Sequence, residues 1–160
     1  ERLQHYCGAL GRILGISNKE LDEMSLFAML HDIGKVGIND AILRKPGPLT
    51  DAEWLEMKKH SEIGFRIAQN NVDLAPISEY ILSHHERWDG NGYPRGLKGE
   101  EIPVLARILA VVDAFDAMTN ERIYSKPRSH EAAAEEILRC AGAQFDPEIA
   151  RVFVAQVLEL

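Results

Sequence analysis

Ser17-Asn18-Lys19-Glu20-Leu21-Asp22-Glu23-Met24-Ser25-Leu26-Phe27-Ala28-Met29-Leu30-His31-Asp32 is the stretch on which the reading turns. Ser17 with Glu20 three residues on is a capping-box pattern, in which each side chain satisfies a backbone N–H at a helix start. Leu21, Met24, Phe27, Ala28 and Leu30 then recur at helical spacing, so an apolar face runs directly into a His-Asp pair. A helix that packs one side and ends on two metal-competent groups predicts an α-helical core with chemistry at its edge.

Working outward, the same signals repeat. Leu3, Leu10, Ile13 and Leu14 share a face up to Gly15, a helix stop. Thr50 with Glu53 starts a helix carrying Trp54, Met57 and His60. Pro76 and Pro103 suit the first turns of two more, Ser129 caps one running to about Gly142, and Asp146-Pro147 opens the last. Residues 36–49 and 86–102 read as loops, the second dense in turn formers at Asp89-Gly90-Asn91-Gly92-Tyr93-Pro94. No strand pattern, repeat or low-complexity tract stands out. The expectation is all-α, a single bundle of about seven helices over residues 1–160 with two long functional loops.

Composition narrows the function classes. At 160 residues the chain suits one domain with a sizeable core. A formal charge of −7 argues against gripping long nucleic acid by general electrostatics. It leaves room for a small anionic substrate, because a bound cation reverses the sign of a site locally. No segment nears the roughly 20 apolar residues of a membrane span. Cys7 and Cys140 lack CxxC spacing and read as reduced packing residues of a cytoplasmic protein, with a long-range disulfide left open. Glu1 leads straight into helical periodicity without a signal peptide, which reads as a piece of a longer multidomain protein.

Taken singly, most polar candidates have ordinary explanations. A lone helical histidine is more often structural than a ligand, and Lys35 near a helix end is favourable anyway. His5 and His130 are read as structural and surface residues. Asp113 lies in Ala106-Arg107-Ile108-Leu109-Ala110-Val111-Val112-Asp113-Ala114-Phe115, where an unpartnered carboxylate costs several kcal/mol. It should be paired, with Arg107 or Arg122, or bound to metal. Together, His31-Asp32, His60, His84-His85 and Asp113 form an imidazole-rich set with a carboxylate and no thiolate. Such a set suits Fe, Mn, Zn or Ni better than Ca or Mg. Two metals about 3.5–4 Å apart can activate water and clamp a phosphoryl oxygen. No nucleophile elbow, Walker loop or Rossmann fingerprint competes.

The tracts His31-Asp32-Ile33-Gly34-Lys35, Ile42-Leu43-Arg44-Lys45-Pro46-Gly47-Pro48-Leu49-Thr50, Lys59-His60-Ser61-Glu62-Ile63-Gly64, His84-His85-Glu86-Arg87-Trp88-Asp89-Gly90-Asn91-Gly92-Tyr93-Pro94 and Arg107-Ile108-Leu109-Ala110-Val111-Val112-Asp113 occur in one order. In this the chain resembles the HD-GYP domains, a bacterial branch of the HD phosphohydrolase superfamily. The resemblance implies hydrolysis of cyclic di-GMP to pGpG, and on to GMP in some members, by a metal-activated water. It implies two or three divalent metals, iron or manganese first, held by His31, Asp32, His60, His84, His85 and Asp113, with Asp32 bridging. Lys35 would contact a phosphate oxygen or orient the water, and Gly92, Tyr93, Pro94 and Arg122 would meet the substrate. An upstream sensory or receiver domain, a protein partner at the Gly92-Tyr93-Pro94 loop and a homodimer are also within what it implies.

Two departures qualify the match. The family's further ligand histidine would fall just upstream of Glu1, and His5 is out of register for it. In Glu121-Arg122-Ile123-Tyr124-Ser125-Lys126, Ile123 stands where the family usually has proline and Ser125 where a base is common. A non-catalytic metal-binding scaffold and a hydrolase of another cyclic dinucleotide, such as cyclic GMP-AMP, are the competing readings.

Overall fold

The computed structural model describes residues 1–122 and 125–160; Ile123 and Tyr124, and with them the substitution noted at Ile123, lie outside the described residues. Helix α1 (Arg2–Leu14) ends at Gly15, whose φ of 80° places it in the left-handed region that favours glycine. Helix α2 (Asn18–Leu30) starts on the Ser17–Glu20 capping box, with both reciprocal bonds formed at 3.1 Å. A single 3₁₀ turn, Ile33–Gly37, follows the His-Asp pair.

The region 36–49, expected as loop, also contains a short helix, α3 (Asp40–Leu43), capped by the Asn39 side chain. Helix α4 (Asp51–Lys58) begins on the Thr50–Glu53 capping box, as its sequence indicates. It does not carry on through His60. The chain breaks at Lys59 and restarts as α5 (His60–Gln69), with no glycine or proline at the junction to announce it. Helix α6 (Ser78–Ser83) follows the turn at Pro76, and α7 (Val104–Thr119) follows Pro103. Helix α8 (His130–Arg139) is capped by Ser129 and stops short of Gly142. Helix α9 (Pro147–Val152) is capped by Asp146 and runs into a π-helical turn, Phe153–Val157.

The expected all-α bundle is therefore what forms, with α3 and the break before α5 added to the seven helices; no strand occurs among the described residues. Helix α7 is its axis, burying Leu105, Ala106, Ile108, Leu109, Val111, Val112 and Phe115 against α1, α2, α6, α8 and α9. At the centre Tyr6, Phe115 and Phe153 meet edge to face, with ring centroids 5.4–5.9 Å apart, the arrangement aromatic quadrupoles favour. Cys7 is buried in this core and Cys140 is partly buried, both unpaired. Burial, with the carboxylates of Asp113 and Asp116 adding to it, pushes the Cys7 thiol up, so it behaves as a packing group. No helix among the described residues is long and apolar enough to cross a membrane.

Two glycines decide where the His-Asp turn sits. A Cβ on Gly34 would lie 1.8 Å from the His60 carbonyl oxygen and 2.6 Å from the Gly64 nitrogen. Only hydrogen at this position lets the 3₁₀ turn press its backbone onto α5. Gly64 in turn faces Ile81 of α6 at 2.8 Å from its would-be Cβ, so three elements converge within a residue's width.

Candidate metal centre

The site is built from helix ends, where backbone carbonyls lack intrahelical donors. His31 stands just past α2, His60 just past α4, and His84 just past α6. Each pairs its Nδ1 with the carbonyl three residues earlier: His31 with Ala28 at 2.9 Å, His60 with Met57 at 2.7 Å, His84 with Ile81 at 2.6 Å. A carbonyl only accepts, so Nδ1 carries the proton in all three rings and the Nε2 lone pair of each neutral ring is turned inward.

All three Nε2 atoms converge on Asp32. Oδ2 lies 3.2 Å from His31 Nε2 and 3.2 Å from Lys35 Nζ. Oδ1 lies 3.6 Å from His60 Nε2 and 3.5 Å from His84 Nε2. His85 completes a group with Asp32, His60 and His84 in which one ligand atom from each lies within 4.8 Å of the others. Asp113, from α7, faces His31 Nε2 at 3.8 Å. Of the alternatives for Asp113, the pairing with Arg107 does not form: Arg107 reaches Asp146 at 2.8 Å and the Ile102 carbonyl at 2.9 Å instead.

Electrostatics follow from this arrangement. Burial works to raise the Asp32 carboxyl, but the neighbouring His31 and His84 rings and the charge of Lys35 outweigh it and hold it well below the usual carboxylate range. Burial raises Asp113, with the Asp32 charge adding and His31 opposing. Burial also lowers His60 and, reinforced by His84 and His60, takes His85 down to about 2. His31 is the exception; burial lowers it, yet Asp32 and Asp113 more than reverse this and raise it.

His60 Nε2 and His84 Nε2 are buried and have no hydrogen-bond partner. An unpaired buried acceptor costs about 1–3 kcal/mol, and here two of them confront a carboxylate oxygen that is also an acceptor. A divalent cation between them would satisfy all three at once, and imidazole with carboxylate is a donor set that transition metals take. The residues fit.

The loop after His85 forms one wall. Glu86, only 4% exposed, accepts from the Arg95 N–H at 2.8 Å and the Leu97 N–H at 2.9 Å. Gly92 is pressed against the backbone of residues 85–87, where a Cβ would lie 2.5 Å from the His85 carbonyl oxygen. Tyr93 stacks on His85 at 5.0 Å with rings 16° from parallel. Behind them opens a cleft of about 410 Å³, lined by residues including His84, His85, Tyr93 and Asp113. Pro94 follows a cis peptide, and neither it nor the exposed Arg122 is in the lining. His5 is exposed, and His130 packs edge-on against Phe115.

Sequence reasoning gave Glu86 no role, because a carboxylate in a polar, glycine-rich loop carries no sign of burial. Nor did it single out Lys58 or the cleft face of Trp54, which sit on a helix whose spacing reads simply as amphipathic.

A family model described as HD domain matches residues 1–149. A cyclic di-GMP phosphodiesterase of Thermotoga maritima is 46% identical over 156 residues, covering 96% of this chain and 42% of that protein. A 3'3'-cGAMP-specific phosphodiesterase of Vibrio cholerae is 38% identical, covering 96% of this chain and 30% of that protein. Among solved structures, an HDG"Y"P protein from Bdellovibrio bacteriovorus superposes with a TM-score of 0.74 at 20% identity, over 99% of this chain and 51% of that one. At that identity it speaks for the fold alone. The chain thus spans less than half the length of either curated relative.

Proposed function

The chain belongs to the HD domain family, in its HD-GYP branch, and on that footing we propose that it hydrolyses cyclic di-GMP to pGpG with bound divalent metal. One observation carries the metal dependence: two buried imidazole lone pairs face a single carboxylate oxygen with no proton donor between them. The similarity to a cyclic di-GMP phosphodiesterase supports the choice of substrate.

His60, His84 and His85 would hold a metal on one side of Asp32, and His31 with Asp113 would hold another on the other side. Two or three ions, iron or manganese first, suit this set. Bound there, they would supply Lewis-acid polarisation of a phosphoryl oxygen and acidify a water molecule. Asp32, with one oxygen toward each histidine group, would serve both positions. Lys35, whose ammonium reaches the Asp32 carboxylate at 3.2 Å, is placed to donate to a phosphate oxygen as negative charge develops. The carbonyl bonds to the Nδ1 atoms hold the rings in place, so little reorganisation accompanies binding. Gly92 and Tyr93 line the substrate wall, with Pro94 following them in sequence, and Arg122, outside that lining, would meet phosphate or guanine only where the substrate extends beyond the cleft.

The family reading extends to a sensory or receiver module elsewhere in the parent protein, a partner at the Gly92-Tyr93-Pro94 loop, a homodimer, and a cytoplasmic setting. A second reading, hydrolysis of 3'3'-cGAMP, is favoured by the likeness to the Vibrio cholerae protein of that specificity. Assay of both dinucleotides with anaerobically purified protein separates the two. Changing His31 and Asp32 together to alanine should lower cleavage at least about 100-fold, the scale on which ligand and electrostatic groups act. Undiminished turnover in that variant contradicts the proposal, and metal bound without cleavage of either dinucleotide favours a scaffold.

A further inference from the structure

The cleft has a second half that the metal cluster does not use. Its floor is Ala110, Ala114 and Ala117, three small side chains at helical spacing on the same face of α7 as Asp113. Trp54 lines the same cleft yet is 43% exposed. The indole meets Tyr93 edge to face, with centroids 6.1 Å apart. Lys58, one turn along α4 from Trp54, places its ammonium 5.8 Å from the Trp54 centroid and 5.3 Å from the Tyr93 centroid.

The charge pattern singles out Lys58. Lys35 faces Asp32 at 3.2 Å, and Arg87, also in the cleft lining, is held by Asp89 through two bonds of 3.1 and 2.9 Å. Among the described residues Lys58 has no carboxylate partner, only the two aromatic faces. A cation–π setting of this kind holds an ammonium in place while leaving its charge unneutralised. The cleft thus pairs an exposed aromatic face with an available cation, beside the cluster that would engage a phosphodiester.

Resting on the cyclic-dinucleotide reading above, we propose that Trp54, Lys58 and Tyr93 form a nucleotide-docking ledge. One purine of the substrate stacks on Trp54 above the alanine floor, while Lys58 neutralises the phosphate that is not being cleaved. A cyclic dinucleotide has two phosphates. The metal cluster can engage one, and the second enters a cleft on a chain of net charge −7, where a local cation is required. Small alanine side chains leave room for a flat base, and every base offers a π-face to an indole.

The test is the dissociation constant of a non-hydrolysable phosphorothioate analogue of cyclic di-GMP on the purified metal-loaded protein. Calorimetry would compare the native chain with Trp54→Ala, Trp54→Phe and Lys58→Met, with thermal unfolding as the control for folding. Loss of one base stack should weaken binding about 5- to 150-fold in Trp54→Ala, and Trp54→Phe should recover most of it. Lys58→Met should weaken binding and make it less sensitive to salt, since one ionic contact is gone. Should Trp54→Ala not fold, the comparison of Trp54→Phe with Lys58→Met carries the test. Native-like affinity in Trp54→Ala or Lys58→Met, with cleavage of cyclic di-GMP by the native chain intact, overturns the ledge alone. A native chain that neither binds nor cleaves cyclic di-GMP overturns the substrate reading and the ledge with it.

Discussion

His85 shows what single side chains at this site cost the fold. Its ring lies among His84, His60 and Asp32 and stacks on Tyr93, and burial holds its pKa at about 2. In the unfolded chain a histidine titrates near 6.5. Below that pH the unfolded state gains a proton that folded His85 refuses, so stability falls as pH drops from about 6.5 toward 2. His60 acts in the same direction and His31 in the opposite one. Urea unfolding of the metal-free protein at pH 7 and pH 5 should therefore show a smaller acid loss in His85→Gln than in the native chain, by about 2 kcal/mol. Equal losses in the two proteins would show that His85 is not held neutral by burial.

At the scale of elements, the wall beside the histidine–aspartate cluster depends on a buried carboxylate. Both oxygens of Glu86 are engaged by backbone N–H groups of the loop that carries Gly92 and Tyr93. Glu86→Gln replaces one of these acceptors with a donor facing an N–H, which should cost about 1–3 kcal/mol and lower the melting temperature. Amide exchange at Arg95 and Leu97 should speed up with it; unchanged protection there would mean that the loop is held by other contacts. Much of this layout is legible in the sequence, because helix starts are local chemistry: Ser17–Glu20, Thr50–Glu53, Ser129 and Asp146 all cap where their side chains indicate. The break at Lys59 is not legible, since Lys59 keeps right-handed helical dihedrals and α5 packs closely on the Gly34 turn, a contact far away in sequence. The histidines were legible as a set, but not their shared device of an Nδ1 bond to the carbonyl three residues back, which needs the helix ends to be known. Lys58 and Trp54 stayed hidden because their meaning depends on sharing a cleft with Tyr93 and residues of α7.

Across the whole molecule, the bundle brings groups from α2, α5, α6 and α7 to one point, although they are spread from residue 31 to residue 113. Its apolar axis, α7, delivers a single carboxylate, Asp113, to the same place. An arrangement that sets imidazole lone pairs against carboxylate oxygens is balanced only when a cation occupies it. The most direct test is the rate of cyclic di-GMP cleavage by anaerobically purified protein before chelation, after chelation, and after return of manganese or ferrous iron. The expected result is a fall of at least about 100-fold on metal removal and recovery on its return. Cleavage that continues at its original rate in fully metal-free protein would contradict the assignment of this cluster as a metal-dependent hydrolytic centre.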